Sequence, residues 1–586
     1  MKKIYISLSL ALALALSANA KEELTKEITI EKDFVPTEQK VTKTNVLPAV
    51  KSIIAPSKAL EFTDWSAPIT LSPMIPTLNP YGYKTKYDFS NKRGYFDLGA
   101  GYFMNIIGSA GYKFIDTDNF KLKAWLQHSS TWSGKNHSLL NQIPNAEFQK
   151  QKFNDNVIGV DMSNRFWVGT LDVNAFYHFD HFNYYGGIAD KWKQSQWKQT
   201  INEMHLKAGW TSAKQEEGFS YKASLMYNHF GYSHSLITNY KSIHENNFRL
   251  NGNASVAVGE SSFLGMDLNA DYAYYTNPVS LQFNDMEMIK EDNKGLGVIT
   301  FSPYFKYKSS KANIRLGVNV DLAINDGTVL KFSPNAKLDY NLLDGFSVYL
   351  SAQGGKKLTL LSDINSINRY TNPSYIFGSV YSPLDGELGF LVGPFSGFTA
   401  KLYGGYGIFN NQQLPWIPSV TMTDPANDFV YASTFLRGID MKGWKVGAEL
   451  GYKFKNFVDF IAGIKYSPQD NKKGFVFGLD RPKYVIDAQI KVYPIEKLSL
   501  SFDYQLRAKR ANYSYYIYNL TPPATESWAK TALGDVNLLN VGAYYQINDT
   551  FGAFIQANNI LNKNWDNFYG MSAQKFNALG GISILF

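Results

Sequence analysis

The densest group of side chains that could do chemistry in this chain is the run His178-Phe179-Asp180-His181. Imidazole and carboxylate groups bind a metal ion or move a proton when several of them converge on one point. On a β-strand, successive side chains point to opposite faces, so His178 and Asp180 share one face and His181 lies on the other. The pattern therefore favours two polar groups on one face of a strand and a separate histidine on its other face, rather than a metal or catalytic centre.

The composition also argues against catalysis. The chain has 586 residues with 8 His and no Cys, so disulfides and thiolate metal sites cannot form. The sequence contains no nucleophile elbow, phosphate-binding loop or zinc-ligand spacing. We therefore expect no enzymatic activity, no metal and no cofactor. The charged residues, with a formal net charge of +8, are spread along the chain, which gives no reason to expect a nucleic-acid partner.

Residues 1–20 have the features of an export signal. Lys2 and Lys3 precede an apolar run over residues 4–16, and Ala18-Asn19-Ala20 forms a small-residue cleavage site. The apolar run is shorter than the roughly 20 residues that a membrane-spanning helix needs. The sequence therefore predicts a signal peptide over residues 1–20.

From Arg93 to the C-terminus, apolar and polar side chains alternate in many stretches. Clear examples are 312–322, 444–454 and 498–508, where even positions are apolar and odd positions include Lys, Glu, Asp and Arg. The closing stretch from Phe576 to Phe586 again has apolar or small residues at even positions. A two-residue period is typical of a β-strand with one apolar and one wetter face. Because no later segment is long and apolar enough for a transmembrane helix, a membrane protein with this pattern must be a closed β-barrel.

The predicted connections between strands alternate between short and long. Tight turns are predicted at 116–119, 164–165, 214–218, 259–260, 309–310, 344–345, 393–397, 455–456, 494–496 and 548–550. Long loops are predicted at 132–151, 184–198, 276–293, 358–383, 411–428, 468–481 and 512–533, with short outer links near 103–105 and 325–327. Short periplasmic turns and long outer loops are typical of bacterial outer-membrane barrels. The sequence therefore predicts an all-β, up-and-down transmembrane antiparallel β-barrel of about 22 strands over residues 93–586.

The C-terminal strands resemble a known family. The stretch from Phe554 to Trp565 reads Phe-Ile-Gln-Ala-Asn-Asn-Ile-Leu-Asn-Lys-Asn-Trp. It resembles the penultimate strand of the TonB-dependent outer-membrane receptors and its Asn-Leu-(Phe or Leu)-(Asp or Asn)-Lys ending. The strand that ends at Phe586 is similar to the last strand of that family. The resemblance implies an outer-membrane fold and location, surrounded by the lipid bilayer and lipopolysaccharide, and it favours ligand capture or transport.

Residues 21–92 depart from that family. Its receptors carry a full plug domain before the barrel, whereas residues 21–92 form a shorter, Pro-rich stretch that we expect to be extended. Within it, Glu27-Ile28-Thr29-Ile30-Glu31 is weakly similar to the motif that engages TonB, although any amphipathic strand or linker would read the same way. The chain is thus similar to plugless, TonB-receptor-like barrels of the Bacteroidetes type, and the resemblance leaves coupling to TonB open.

The predicted outer loops contain aromatic residues that could bind a ligand. The candidates are Tyr184, Tyr185, Trp192, Trp197 and Trp416. Rigid amphipathic rings suit contacts with a glycan or a protein, but the aromatic girdle at the membrane surface uses the same residue types. Two functions remain open. One is a receptor or porin-like transporter whose lumen passes a ligand or is closed by residues 21–92. The other is an assembly platform whose N-terminal segment recruits a periplasmic or outer-membrane partner.

Overall fold

The computed structural model describes residues 92–133, 151–184, 198–213, 218–235, 241–277, 282–283, 286–287, 295–371, 378–418, 435–471, 482–517, 526–568 and 571–586. The predicted signal peptide, the predicted extended segment up to residue 91 and its TonB-box-like stretch Glu27-Ile28-Thr29-Ile30 lie outside these residues. The division of the chain into a signal peptide, an N-terminal segment and a barrel therefore stays a prediction.

Most of the described residues form β-strands. The first half contains β1 (Gly94–Gly101), β2 (Ile106–Asp116), β3 (Phe120–Trp132), β4 (Lys152–Phe166), β5 (Gly169–Asn183), β6 (Lys198–Ser212), β7 (Phe219–Tyr232), β8 (His244–Ala257), β9 (Ser262–Thr276), β10 (Gln282–Phe283), β11 (Met286–Glu287), β12 (Gly295–Lys308), β13 (Ala312–Ile324), β14 (Leu330–Leu343) and β15 (Phe346–Lys357). The second half contains β16 (Val380–Phe395), β17 (Phe398–Pro418), β18 (Phe435–Phe454), β19 (Val458–Tyr466), β20 (Gln469–Asn471), β21 (Tyr484–Ile495), β22 (Leu498–Ala508), β23 (Arg510–Ile517), β24 (Glu526–Leu533), β25 (Val536–Gln546), β26 (Phe551–Asn558), β27 (Asp566–Phe568), β28 (Met571–Ser572) and β29 (Asn577–Leu585).

Helical structure in the described part of the chain is short. It consists of a 3₁₀ turn, Tyr102–Met104, between β1 and β2 and one α-helix, α1 (Leu361–Ile367), between β15 and β16. Neither is long or apolar enough to cross a membrane.

Twenty-two of the strands form one closed antiparallel barrel. The short strands β10, β11, β20, β23, β24, β27 and β28 lie in the connections between barrel strands. Strand β1 closes the ring because it pairs with both β2 and β29. At this seam the backbone N–H groups of Arg93 and Gly94 each donate to the carbonyl oxygen of Phe586 at 2.7 Å. The predicted all-β up-and-down barrel and its strand number are confirmed.

The outward face of the barrel is apolar and the inward face is more polar. In the closing strand, Ile582 and Phe586 are 49% and 54% exposed, whereas Ser583 and Leu585 are 3% and 4% exposed. The same parity holds in β13, β18 and β22, where Leu316, Trp444 and Phe502 are exposed. Because apolar side chains cover the outside, this surface suits the hydrocarbon of a bilayer. The predicted apolar and wetter faces of the strands are therefore confirmed.

Each predicted turn overlaps a gap between two strands, with one exception. The turn predicted at 164–165 lies instead at Trp167-Val168, because β4 continues through Asn164 and Arg165, which pair with Leu171 and Thr170. Polar residues at the rim of a barrel meet water whether they belong to a strand or a turn, so their polarity does not mark the end of β4. The predicted loop 411–428 likewise begins later in the structure, because β17 continues to Pro418.

The Asn-rich stretch after β26 forms a fixed corner. Asn559 has a φ of 49°, a left-handed conformation that asparagine adopts more readily than most residues. Its N–H donates to Oδ1 of Asn540 at 2.9 Å, and Trp565 packs against Val536 and Leu538 in a small buried cluster. The motif that carries the family resemblance thus holds the connection from β26 to β29 against the neighbouring strands.

Candidate functional site in the barrel lumen

The connection from β15 to β16 folds inward against the barrel wall. We call residues 358–371, which include α1, the lumenal segment. Its apolar residues Leu358, Leu360, Leu361 and Ile364 are 2%, 3%, 2% and 1% exposed. Burial of a leucine or isoleucine side chain contributes about 1.5–3 kcal/mol. This part of the predicted outer loop therefore packs against the barrel rather than extending into solvent.

The surface around the lumenal segment is aromatic. Phe182, Tyr184, Phe230, Tyr232 and Tyr275 lie at the outer ends of β5, β7 and β9, and each is at most 1% exposed. The ring of Tyr370 packs edge-on against Phe182 and Tyr184, with ring centroids 5.6 and 6.4 Å apart. Burial raises the pKa of Tyr370 to about 12, so its hydroxyl is neutral at physiological pH. The outer end of this wall is thus a packed aromatic layer.

Arg369 ties the lumenal segment to two carboxylates of the wall. Its Nη1 lies 3.0 Å from an oxygen of Asp180 on β5, and its Nη2 lies 3.2 Å from Asp155 on β4. The guanidinium also lies over the ring of Phe153, 4.4 Å from the ring centroid. Burial by itself lowers the pKa of Arg369, but the surrounding negative charges, with Asp180 first, outweigh it and the net shift is upward. Because Asp180 is only 1% exposed, loss of Arg369 would leave a buried carboxylate without its cation.

His178 extends this charge network along the wall. Its Nε2 lies 3.1 Å from Asp155, and its Nδ1 lies 3.2 Å from Glu203 on β6. His181 lies on the opposite face, where its Nδ1 is 2.9 Å from the hydroxyl of Thr200. The predicted separation of the two histidines is confirmed. With both ring nitrogens engaged, His178 links two carboxylates of the wall and offers no free nitrogen to a metal ion or a substrate.

Further polar contacts hold the start of the lumenal segment. The N–H of Leu361 donates to Oε2 of Glu245 on β8 at 2.7 Å, and Glu245 is 0% exposed. Just before the segment, Nζ of Lys356 lies 3.1 Å from Asp326, and the N–H of Lys356 donates to Asp321 at 3.0 Å. The lumenal segment is therefore fixed at its beginning, in α1 and near its end, and each contact is made to a different strand or turn.

Polar cavities continue along the wall beyond the lumenal segment. One of about 440 Å³ lies between Leu358 and the strands β8, β9 and β12–β15. Another of about 870 Å³ is lined by β2–β9, and a third of about 370 Å³ is lined by β7–β9 and β12–β14. Their linings consist mainly of amide, hydroxyl, lysine and aspartate side chains. Cavities of this size accommodate small molecules, so the wall can receive a polar solute.

The predicted ligand-binding aromatics lie in different parts of the molecule. Tyr184 is 1% exposed and packs against Tyr370 of the lumenal segment. The backbone of Trp416 lies in β17, opposite Phe435 of β18. Tyr185, Trp192 and Trp197 lie outside the described residues. Ligand binding by these five residues stays a prediction.

Sequence patterns alone do not reveal the lumenal segment or its partners. Arg369 and Leu361 contact groups that are far away along the chain, and no local pattern marks such pairs. One signal was nevertheless present, because Leu358-Thr359-Leu360-Leu361 is a mostly apolar run within a predicted outer loop. A contiguous apolar surface on a soluble loop usually indicates something that covers it, so an inward-folded loop could have been inferred there.

No family model and no curated protein matches the chain, but solved structures do. The ferric enterobactin receptor of Pseudomonas aeruginosa is 12% identical, with a TM-score of 0.64 over 84% of this chain and 81% of that chain. A siderophore receptor from Acinetobacter baumannii is 11% identical, with a TM-score of 0.63 over 84% and 80% of the two chains. The ferripyoverdine receptor of the Pseudomonas aeruginosa outer membrane, bound to ferripyoverdine, is 15% identical, with a TM-score of 0.58 over 84% and 72%.

These similarities concern the fold. They confirm, at the level of the barrel, the resemblance to TonB-dependent outer-membrane receptors that the C-terminal strands indicated. A closed 22-strand barrel with an apolar outward face is an architecture of the bacterial outer membrane. The chain is therefore an outer-membrane β-barrel.

Proposed function

We propose that this barrel is a receptor-like transporter, which captures a ligand at its outer end and passes it along the lumen. The lumenal segment is the observation that carries the proposal. It lies over the outer end of the wall formed by β4–β9, and polar cavities follow on the same wall. A barrel that served only as an assembly platform would need neither a covered opening nor a polar passage beneath it.

The structural neighbours support capture of a ligand. The ferripyoverdine receptor is bound to ferripyoverdine, so a barrel of this fold can hold a ligand. For the present chain, the candidate contacts are Tyr184, Tyr185, Trp192, Trp197 and Trp416 together with the exposed side of the lumenal segment. In this proposal Tyr184 becomes available when the lumenal segment moves away from it.

Residues 21–92 have a role in the same proposal. As an extended, Pro-rich stretch they would occlude the lumen in place of a full plug domain, as in a plugless barrel of the Bacteroidetes type. Coupling to TonB would then use Glu27-Ile28-Thr29-Ile30. A pull-down from outer membranes, with the full chain as bait, distinguishes TonB from a different periplasmic or outer-membrane partner.

Swelling of proteoliposomes tests the passage of solutes. The full chain is compared with a variant in which residues 359–370 are replaced by a short Gly-Ser linker, using neutral sugars of increasing size. We expect faster swelling with the linker variant, because the outer end of the wall is then uncovered. The double variant Lys357→Ala/Asp363→Ala is the control, since it removes a contact of 3.7 Å between two partly exposed side chains and leaves the anchors of the segment in place.

The control should swell at the rate of the unmodified protein. Impermeable liposomes with both the full chain and the linker variant, each inserted as a heat-stable barrel, would contradict transport and leave the platform function.

A further inference from the structure

The lumen carries positive charge near its periplasmic turns. The cavities of about 870 and 370 Å³ share Lys222 and Asn253 and so form one continuous surface, which we call the basic wall. The first cavity is lined by five lysines and four aspartates. The second adds Lys306, Arg315 and Lys337 and is lined by no carboxylate among the described residues. Cations therefore outnumber carboxylates along this surface.

Most aspartates of the basic wall already have a cation. The ion pairs are Lys113 with Asp116, Lys123 with Asp161 and Arg315 with Asp267. Lys207 and Lys222, in contrast, form no ion pair with any carboxylate of the described chain, and both side chains are exposed to the lumen. Because cations are in excess along the basic wall, the local potential favours anions, and these two amines can attract them.

Neutral donors lie next to the two free amines. Lys222 is opposite Asn253 of β8 and Thr211 of β6, and Lys207 is opposite Asn174 of β5. Residues opposite each other in antiparallel strands lie on the same face, with their side chains about 5 Å apart. An anion with several oxygen atoms can therefore accept hydrogen bonds from an ammonium group and from an amide or hydroxyl at the same time.

The outer half of the same lumen has the opposite character. Its carboxylates Asp155, Asp180 and Glu203 are held by Arg369 and His178, and Glu245 accepts the N–H of Leu361. Arg369 and His178 are therefore already paired and do not attract an anion. Of these two halves, the basic wall is the one where amines without an ion pair to a described carboxylate face a solute.

We propose that the basic wall is an anion-binding site, and that the ligand of this barrel carries several phosphate or carboxylate groups, with Lys207 and Lys222 as its charged contacts. This inference rests on the proposed function, because it names the class of ligand that passes the lumen. The site is a set of fixed amines and amides in a hydrated passage, so binding is reversible and weakens as salt increases.

Calorimetric titration of the full chain in detergent with pyrophosphate, and separately with citrate, tests the site. We expect saturable binding of at least one of the two anions at low salt. In the variant Lys207→Gln/Lys222→Gln, binding should weaken by roughly tenfold, because two unit charges a few ångströms from the ligand are lost. The variant Lys207→Arg/Lys222→Arg keeps both charges and should retain most of the affinity.

Lys491→Gln is the matched control. Lys491 lies opposite Asp459 in the β19–β21 pair and lines neither cavity of the basic wall. Its replacement should leave anion binding unchanged. Absence of saturable binding would overturn the proposed site. An equal loss of anion affinity in Lys491→Gln would overturn it as well. Anion binding that depends on Lys207 and Lys222 without any solute passage in liposomes would support the site and contradict transport, whereas passage of sugars without anion binding would overturn the site alone.

Discussion

The outer and inner halves of the wall formed by β4–β9 use charge in different ways. In the outer half, Asp155 and Asp180 form ion pairs with Arg369, and aromatic rings fill the space around them. In the inner half, Lys207 and Lys222 face a cavity of about 870 Å³ and pair with no carboxylate among the residues that the structure describes. The same strands run through both halves and present every second side chain to the lumen. The difference shows that paired charges hold the lumenal segment in place, while unpaired charges are left for a solute.

Of the substitutions considered, Arg369→Ala should loosen the lumenal segment most. It leaves the buried Asp180 without its cation, and removal of one partner from a buried ion pair typically destabilises by about 3–5 kcal/mol. We expect the lumenal segment to leave the wall while the barrel stays closed. Hydrogen exchange of residues 358–371 should accelerate strongly, and single-channel conductance should rise.

Arg369→Lys is the control for that experiment, because it keeps the charge and should give an intermediate exchange rate. An unchanged exchange rate in Arg369→Ala would mean that the aromatic layer alone holds the lumenal segment against the wall. It would contradict the view that paired charges fix this segment.

Ile364→Ala in α1 should loosen the lumenal segment less than Arg369→Ala does. Ile364 is 1% exposed, and truncation of a buried isoleucine to alanine costs about 2–5 kcal/mol. We expect a loss of stability near the lower end of this range, because a short segment can shift to fill part of the space that the side chain leaves. Exchange of residues 358–371 should rise less than with Arg369→Ala. Ser366→Ala, at an exposed position of the same helix, removes only the hydrogen bond from its hydroxyl to the carbonyl oxygen of Asp363 at 2.6 Å. It should raise exchange much less than Ile364→Ala, and a similar change in both variants would show that α1 is not packed as described.

The smallest predicted effect is that of Asp172→Asn on anion binding in the inner half. Asp172 lines the basic wall and forms no ion pair with a cation of the described chain. Asp172→Asn removes one repulsive charge without changing the shape of the side chain, so pyrophosphate should bind roughly threefold more tightly in the same titration. Equal or weaker binding would show that the net charge of the wall does not set its preference for anions.

The barrel could be predicted from the sequence because its determinants are local. The alternation in 444–454 gives the two faces of β18, and turn signals such as Asp344-Gly345 separate neighbouring strands. Strand number and loop parity follow from repetition of these signals. The prediction was wrong at Asn164 and Arg165, where β4 continues to the water-exposed rim and polarity gives no contrast. It was also wrong at residues 411–418, which belong to β17.

The site could be predicted only in part. Parity along β5 correctly placed His178 and Asp180 on one face, but the partner of Asp180 is Arg369, a loop residue for which strand parity has no meaning. Likewise, parity along β6 predicts that Lys207 faces the lumen. That its neighbour across the strands is Asn174 rather than a carboxylate depends on the register of β5 and β6. Such pairings arise from the tertiary arrangement of strands and are absent from any short stretch of sequence.

The pairing of β1 with β29 has a consequence for biogenesis. As the chain is delivered to the membrane, β1 can bond to β2 early, but its other edge has no partner until the last residues arrive. An unpaired strand edge is a template for association with other chains. Pairing with β29 therefore covers this edge, and the seam ends at Phe586, whose carbonyl oxygen accepts hydrogen bonds from the N–H groups of Arg93 and Gly94. A chain that lacks β29 would keep two open edges, on β1 and on β26, however well the remainder had folded.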